Sequence, residues 1–233
     1  MTKYQKNVET VLRVISEVNR ILSRSPKTND AVAKVVSIAW YQFSSELKFI
    51  LRHAHEKDSY FSLAKVCRTI LEITADTYFI INNPTEAKKI ANCLQEARNQ
   101  LKTKSSVDFL KYIHGKEFRQ LSTVQVGNGP TERIEKALGK TGKMEYSNLS
   151  SSTHFNYFNV FNDWLNKLAG DPNDSLRLLQ VPVNLLSYMV NSMSQVDSFK
   201  ELASYKLPPL NDLFAKYDDP KMDNLIDEIE KSS

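Results

Sequence analysis

The chain has 233 residues, of which 41% are hydrophobic and 25% charged, and its net charge is +4. This balance is typical of a water-soluble globular protein, and the length suits one large helical domain or two small ones. No apolar run approaches the length of a membrane span, and residues 1–12 lack the apolar core of a signal peptide, so we expect no membrane contact.

Helical periodicity dominates the N-terminal half of the chain. Apolar residues at spacings of three and four predict a first helix over 4–22 and a second over 32–51. A third predicted helix, over 59–83, is apolar on almost all sides, which favours a central position. In the sequence of 83–86, Asn83 is a candidate N-cap and Pro84 takes the first helical position, so a fourth helix starts there.

The C-terminal half carries more breaks. A fifth helix is predicted from Ser106, and it weakens near Gly115. Glycine and proline then mark 124–132 as a loop. Pro130 opens a short helix that Gly139 closes. A longer helix is predicted over 145–165, and it stops before the Gly-Asp-Pro sequence at 170–172.

The last long segment, 176–205, is mostly helical in pattern, and Pro182 either kinks it or marks its true start. We therefore predict an all-α fold, a bundle of about seven main helices. The predicted domain covers 1–206, and an acidic tail with one or two short helices covers 207–233. The two cysteines show no zinc or redox spacing, so we expect a reducing cytoplasm and two buried thiols.

Charge is distributed unevenly along the chain. Ten Lys/Arg stand against four Asp/Glu over 98–143, whereas three Lys stand against seven Asp/Glu over 211–233. The basic middle can attract phosphate, so RNA or a nucleotide is one expected partner, although such density is also common on solvated helices. A protein partner and a homodimer are further alternatives, and the acidic tail is a candidate to dock on the basic middle.

Two short motifs do not support a cofactor or a metal. The sequence GKTGKM at 139–144 lacks the first glycine and the Ser/Thr of a phosphate-binding loop, and no strand precedes it. His53 and His55 are two residues apart, so a helix would point them in nearly opposite directions. We therefore expect no cofactor and no metal ion.

Five polar residues on two predicted helices form the main candidate site. Tyr146, Ser150 and His154 are four residues apart and share one stripe at the edge of an apolar face. Arg68 and Glu72 are also four apart, on the helix expected to be central. If that helix is buried, this charged pair needs partners from another helix, and the Tyr146 stripe offers them.

Two interpretations of this cluster remain open. In the first, the five residues form a structural or ligand-binding cluster that fixes how the helices align. In the second, they are the centre of a metal-independent ribonuclease or nucleotidyl-acting enzyme. His154 would then exchange protons near neutral pH, Arg68 would stabilise negative charge, Glu72 would orient the imidazole, and Ser150 would hold a phosphate oxygen.

The pattern of an R-x-x-x-E helix followed by a Y-x-x-L-S-x-x-x-H helix resembles a bacterial helical family of unknown function, loosely grouped with HEPN-like domains. The matching residues are Arg68 and Glu72, then Tyr146, Leu149, Ser150 and His154. This resemblance covers roughly residues 59–166. It implies a HEPN-like antiparallel helical core and a role in phage defence, toxin–antitoxin pairing or RNA handling. The arginine that precedes the histidine on one helix in active HEPN ribonucleases has no counterpart here.

Overall fold

A computed structural model of the chain describes residues 2–24, 30–54, 60–124, 129–153, 174–211 and 213–214. Within these ranges the protein is all-helical, as predicted, with no strand. The helices are α1 (Lys3–Arg24), α2 (Ala31–His53), α3 (Tyr60–Asn82), α4 (Pro84–Thr103), α5 (Ser106–His114), α6 (Lys116–Ser122), α7 (Pro130–Thr153), α8 (Asp174–Met193) and α9 (Glu201–Ser204), with a 3-10 turn at Asp197–Phe199.

Local capping explains several helix starts. The Asp30 carboxylate accepts a hydrogen bond from the Val32 amide at 2.9 Å, so Asp30 is the residue that caps α2. The Asn83 side chain accepts from the Glu86 amide at 3.3 Å, and Pro84 opens α4 as predicted. Ser105 caps α5 in the same way.

The helix α3 is central, as its apolar sequence predicted. It packs against α2, α7 and α8. Its fully buried residues include Leu63, Ile70 and Leu71. Both cysteines are free and buried, and burial raises the pKa of Cys67 to about 12, so this thiol is not a nucleophile at neutral pH.

The two predicted helices around Gly139 are joined more closely than expected. They form one kinked element, α7, in which Gly139 has φ 72° and ψ −170°. Helical structure resumes directly after the kink, well before residue 145. The kink is bridged by an ion pair between Lys143 and Glu135 at 2.6 Å, and the Tyr188 hydroxyl of α8 donates to the Ala137 carbonyl at 2.8 Å.

The last predicted segment, 176–205, is mostly helical as predicted, with a break between α8 and the 3-10 turn. Pro182 lies inside α8, so it does not mark the start of the helix. Residues 205–210 after α9 form no regular secondary structure, and both Leu210 and Phe214 are buried. Phe214 meets the ring of Tyr4 edge-on at 6.0 Å. Within the ranges given above, no helix is at once long enough and apolar enough to traverse a bilayer.

Candidate functional site

The contact between α3 and α7, which we call the α3–α7 seam, holds most of the polar residues singled out in the sequence. On α3, Arg68, Glu72 and Asp76 follow one another at intervals of four residues, so they share one face. Tyr146, towards the C-terminal end of α7, hydrogen-bonds to Arg68 and Glu72. Arg133, near the N-terminal end of α7, hydrogen-bonds to Asp76, which comes later in α3. The two helices therefore run antiparallel.

Arg68, Glu72 and Tyr146 form a closed triangle of hydrogen bonds, which we call the polar triangle. The Nε of Arg68 donates to Glu72 Oε1 at 3.1 Å, and a terminal guanidinium nitrogen donates to the Tyr146 hydroxyl oxygen at 2.9 Å. The Tyr146 hydroxyl in turn donates to Glu72 Oε1 at 2.8 Å. The guanidinium carbon lies 5.0 Å from the centroid of the Tyr146 ring, within cation–π range. The predicted contact of Tyr146 with the Arg68–Glu72 pair is therefore present.

Burial within the triangle is graded. Tyr146 is 4% exposed, whereas the side chains of Arg68 and Glu72 are 28% and 34% exposed. Burial and the hydrogen bond to Glu72 raise the pKa of Tyr146. Burial opposes the charge on Arg68, but hydrogen bonds to Tyr146 and Glu72 outweigh it, so the net direction of the Arg68 pKa is upward. The tyrosine thus stays a neutral donor and the arginine stays a cation.

The remaining two residues of the predicted cluster stand differently. Ser150 lies one turn beyond Tyr146 on α7, and its hydroxyl oxygen is buried. His154 lies outside the described residues, so its predicted contribution to the cluster stays a prediction. Of the five candidates, the structure thus brings Arg68, Glu72 and Tyr146 into contact.

A second pair in the seam was not predicted from the sequence. The Nε of Arg133 donates to Asp76 Oδ1 at 2.9 Å, and the Arg133 side chain is only 13% exposed. Burial raises the pKa of Asp76 to about 6, although the charge and hydrogen bond of Arg133 act in the opposite direction. The four-residue step from Glu72 to Asp76 indicates that Asp76 shares this face of α3. The sequence does not indicate that Arg133 is its partner, because the kink at Gly139 alters which α7 residues face α3.

An open surface pocket of about 320 Å³, which we call the cavity, lies at the α5–α6 junction, and its lining includes none of the seam residues. It is lined by His114, Lys116, Arg119, Gln120 and Thr123. Charge counting located the basic stretch but not the cavity. A usable signal existed: 116, 119, 120 and 123 are spaced as one face of a helix.

Comparison of the chain with protein-family models, with curated proteins and with solved structures finds no match. The resemblance to HEPN-like domains therefore remains an expectation carried by the residues of the two motifs. Function must be argued from side-chain chemistry.

Proposed function

We propose that the protein is a cytoplasmic, non-catalytic RNA-binding module, in which the polar triangle holds α3 against α7 and the basic segment 98–124 contacts the RNA. The observation that carries this proposal is the state of the cations in that segment. Six Lys/Arg stand there against two Asp/Glu, and all six are exposed. Within the described part of the chain, none of the six takes part in an ion pair. The cations are Arg98, Lys102, Lys104, Lys111, Lys116 and Arg119.

Exposed cations on one segment are the electrostatic footprint that phosphate backbones require. The segment covers the end of α4 together with α5 and α6, and neither α5 nor α6 has a buried residue. The two short helices pack on α4. They contribute little to the core and leave most of their surface open to a partner.

The polar triangle supports a structural role for the first cluster. A catalytic arginine and carboxylate must direct their donors and lone pairs at substrate. Here Arg68 and Glu72 bond to each other and to Tyr146. These bonds fix the alignment of two helices, which is a frequent use of polar groups between helices. A phage-defence setting is supported by the motif resemblance alone.

Titration of a short fluorescein-labelled oligouridine with wild-type protein tests this function. We expect anisotropy to report a Kd of about 1–100 µM at physiological salt, weakening as salt rises. The RNA should remain intact in the presence of EDTA, and His154→Ala should change neither affinity nor RNA integrity.

Two results would contradict the proposal. Absence of salt-dependent binding would remove the RNA-binding function. Cleavage of the oligonucleotide that His154→Ala abolishes, with an unchanged melting temperature, would favour the metal-independent ribonuclease instead.

A further inference from the structure

The side chains that line the cavity at the α5–α6 junction include two cations and no carboxylate. Lys116 and Arg119 supply positive charge, and Gln120, Thr123 and His114 supply further polar groups. No Asp or Glu is among the five lining residues, so a hard cation such as Mg²⁺ or Ca²⁺ finds no carboxylate ligand. Electrostatics and hydrogen-bond donors both favour an oxyanion.

The lining also distinguishes between parts of a nucleotide. No Phe, Tyr or Trp ring lines the cavity, and such rings are the usual platforms on which bases stack. No carboxylate is present to accept from the amino group of a base. Without an aromatic platform, the two cations suit a phosphate better than a base, so recognition should depend little on sequence.

The surrounding contacts hold the cavity walls in place. A terminal nitrogen of Arg119 lies 3.4 Å from His114 Nδ1. The Thr123 hydroxyl donates to the Arg119 carbonyl at 2.6 Å, and the Lys89 ammonium of α4 donates to the Thr123 carbonyl at 3.2 Å. Lys89 is also paired with Glu86. The end of α6 is thereby tied to α4.

Gly115 lies between the two short helices in extended backbone, with φ −64° and ψ 148°. A Cβ built on it would lie 3.0 Å from the Tyr112 carbonyl oxygen, at the limit of what real side chains show. The Gly115 amide donates to that same carbonyl at 3.1 Å. The break in helical backbone at Gly115 separates His114, at the end of α5, from the first turn of α6.

We infer that the cavity lined by His114, Lys116, Arg119, Gln120 and Thr123 is a phosphate-binding subsite for the RNA backbone, which rests on the RNA-binding function proposed above. Its volume of about 320 Å³ is at the lower end of small-ligand pockets. A free nucleotide carries the same phosphate chemistry, so the test must separate the two sources.

The test compares two double variants that remove the same charge from the basic segment. Lys116→Gln with Arg119→Gln removes the cavity cations, whereas Lys102→Gln with Lys104→Gln removes two exposed cations outside it. Both are titrated into labelled oligouridine and oligoadenylate over a range of salt. All four positions are exposed, so both variants should melt close to wild type; Lys116→Gln alone serves if the double variant does not fold.

We expect the cavity variant to bind both oligonucleotides at least about tenfold more weakly and to lower the slope of log K against log salt by about 1.4, as two lost contacts on a single strand predict. The control variant should lose affinity by less than about threefold. ADP, titrated by calorimetry, should bind wild type more weakly than the oligonucleotide does.

The outcomes separate the two proposals. Equal losses in both variants would overturn the subsite while leaving RNA binding intact. Absence of RNA binding by wild type would overturn both. Binding of ADP that is tighter than that of RNA, and lost in the cavity variant, would overturn the RNA assignment in favour of a free nucleotide. A preference for one base sequence would contradict backbone recognition.

Discussion

At the residue scale, the Tyr146 hydroxyl joins two charged groups of a neighbouring helix. It accepts from Arg68 and donates to Glu72 while its ring packs under the guanidinium. A phenol suits this position because it remains neutral, buries its ring and offers both a donor and an acceptor.

Removal of that hydroxyl is the direct test of its structural value. Tyr146→Phe keeps the ring but takes one partner from each charged group, so we expect the free energy of unfolding to fall by about 1–3 kcal/mol. Urea denaturation measures this change. Tyr41, which is 76% exposed, supplies the matched control: Tyr41→Phe should shift stability by less than about 0.5 kcal/mol. Equal stability of the Tyr146 variant and wild type would refute the structural role.

Asp76 should make stability depend on pH in an unusual direction. Its pKa rises from 3.8 to about 6 on folding, so the folded state holds the proton more tightly than the unfolded state. The protonated Asp76 side chain therefore contributes stability that is complete below about pH 4 and is lost as pH rises through about 6. Each unit of difference between the folded and unfolded pKa corresponds to about 1.4 kcal/mol of unfolding free energy.

Comparison with Asp76→Asn isolates this titration, because asparagine does not ionise. Between pH 4 and pH 7, wild type should lose up to about 3 kcal/mol relative to the variant. Urea denaturation at several pH values gives the difference curve. If the difference in unfolding free energy does not change with pH, or changes in favour of wild type as pH rises, then the effect of Arg133 on the Asp76 pKa outweighs the effect of burial.

At the element scale, α7 depends on one glycine. Gly139 has φ 72° with ψ near 180°, a region that residues with a Cβ rarely occupy. The kink lies between Arg133 and Tyr146, two α7 residues that hydrogen-bond to α3. Its geometry therefore decides whether both can reach the same helix face.

Gly139→Ala should be destabilising even though a Cβ there meets no atom within 4 Å. We expect a loss of about 1–3 kcal/mol from backbone strain alone. Lys140→Ala, at the exposed neighbouring position, is the control and should be close to neutral. Thermal melts of the pair measure the effect, and matching melting temperatures would mean that α7 straightens without loss.

Local sequence signals predicted the positions of helices better than they predicted which side chains pair between helices. Asn83-Pro84 identified the start of α4, and the all-round apolar sequence of α3 identified its central place, because both are encoded within a few turns of chain. The Asp76–Arg133 pair was missed because antiparallel counting from Tyr146 fails across the kink. The five residues lining the cavity were missed because their grouping depends on how α5 and α6 are arranged at their junction.

At the scale of the whole molecule, the described part of the all-helical fold contains two polar regions that differ in how their charges are paired. The α3–α7 seam pairs its charges internally, whereas the basic segment 98–124 leaves its cations exposed. The sequence predicted the excess positive charge of this segment, but its motifs favoured the seam residues as the functional site. Side-chain pairing, which sequence spacing does not reveal, shifts that weight to the basic segment.

Ultraviolet crosslinking of the protein to 4-thiouridine-containing RNA, followed by mass spectrometry of the crosslinked peptides, tests this division most directly. Crosslinks should fall within residues 98–124, and the RNA should be recovered at full length. Crosslinks concentrated on peptides that contain residue 68, 146 or 154, together with shortened RNA, would place the working site in the α3–α7 seam and contradict the account.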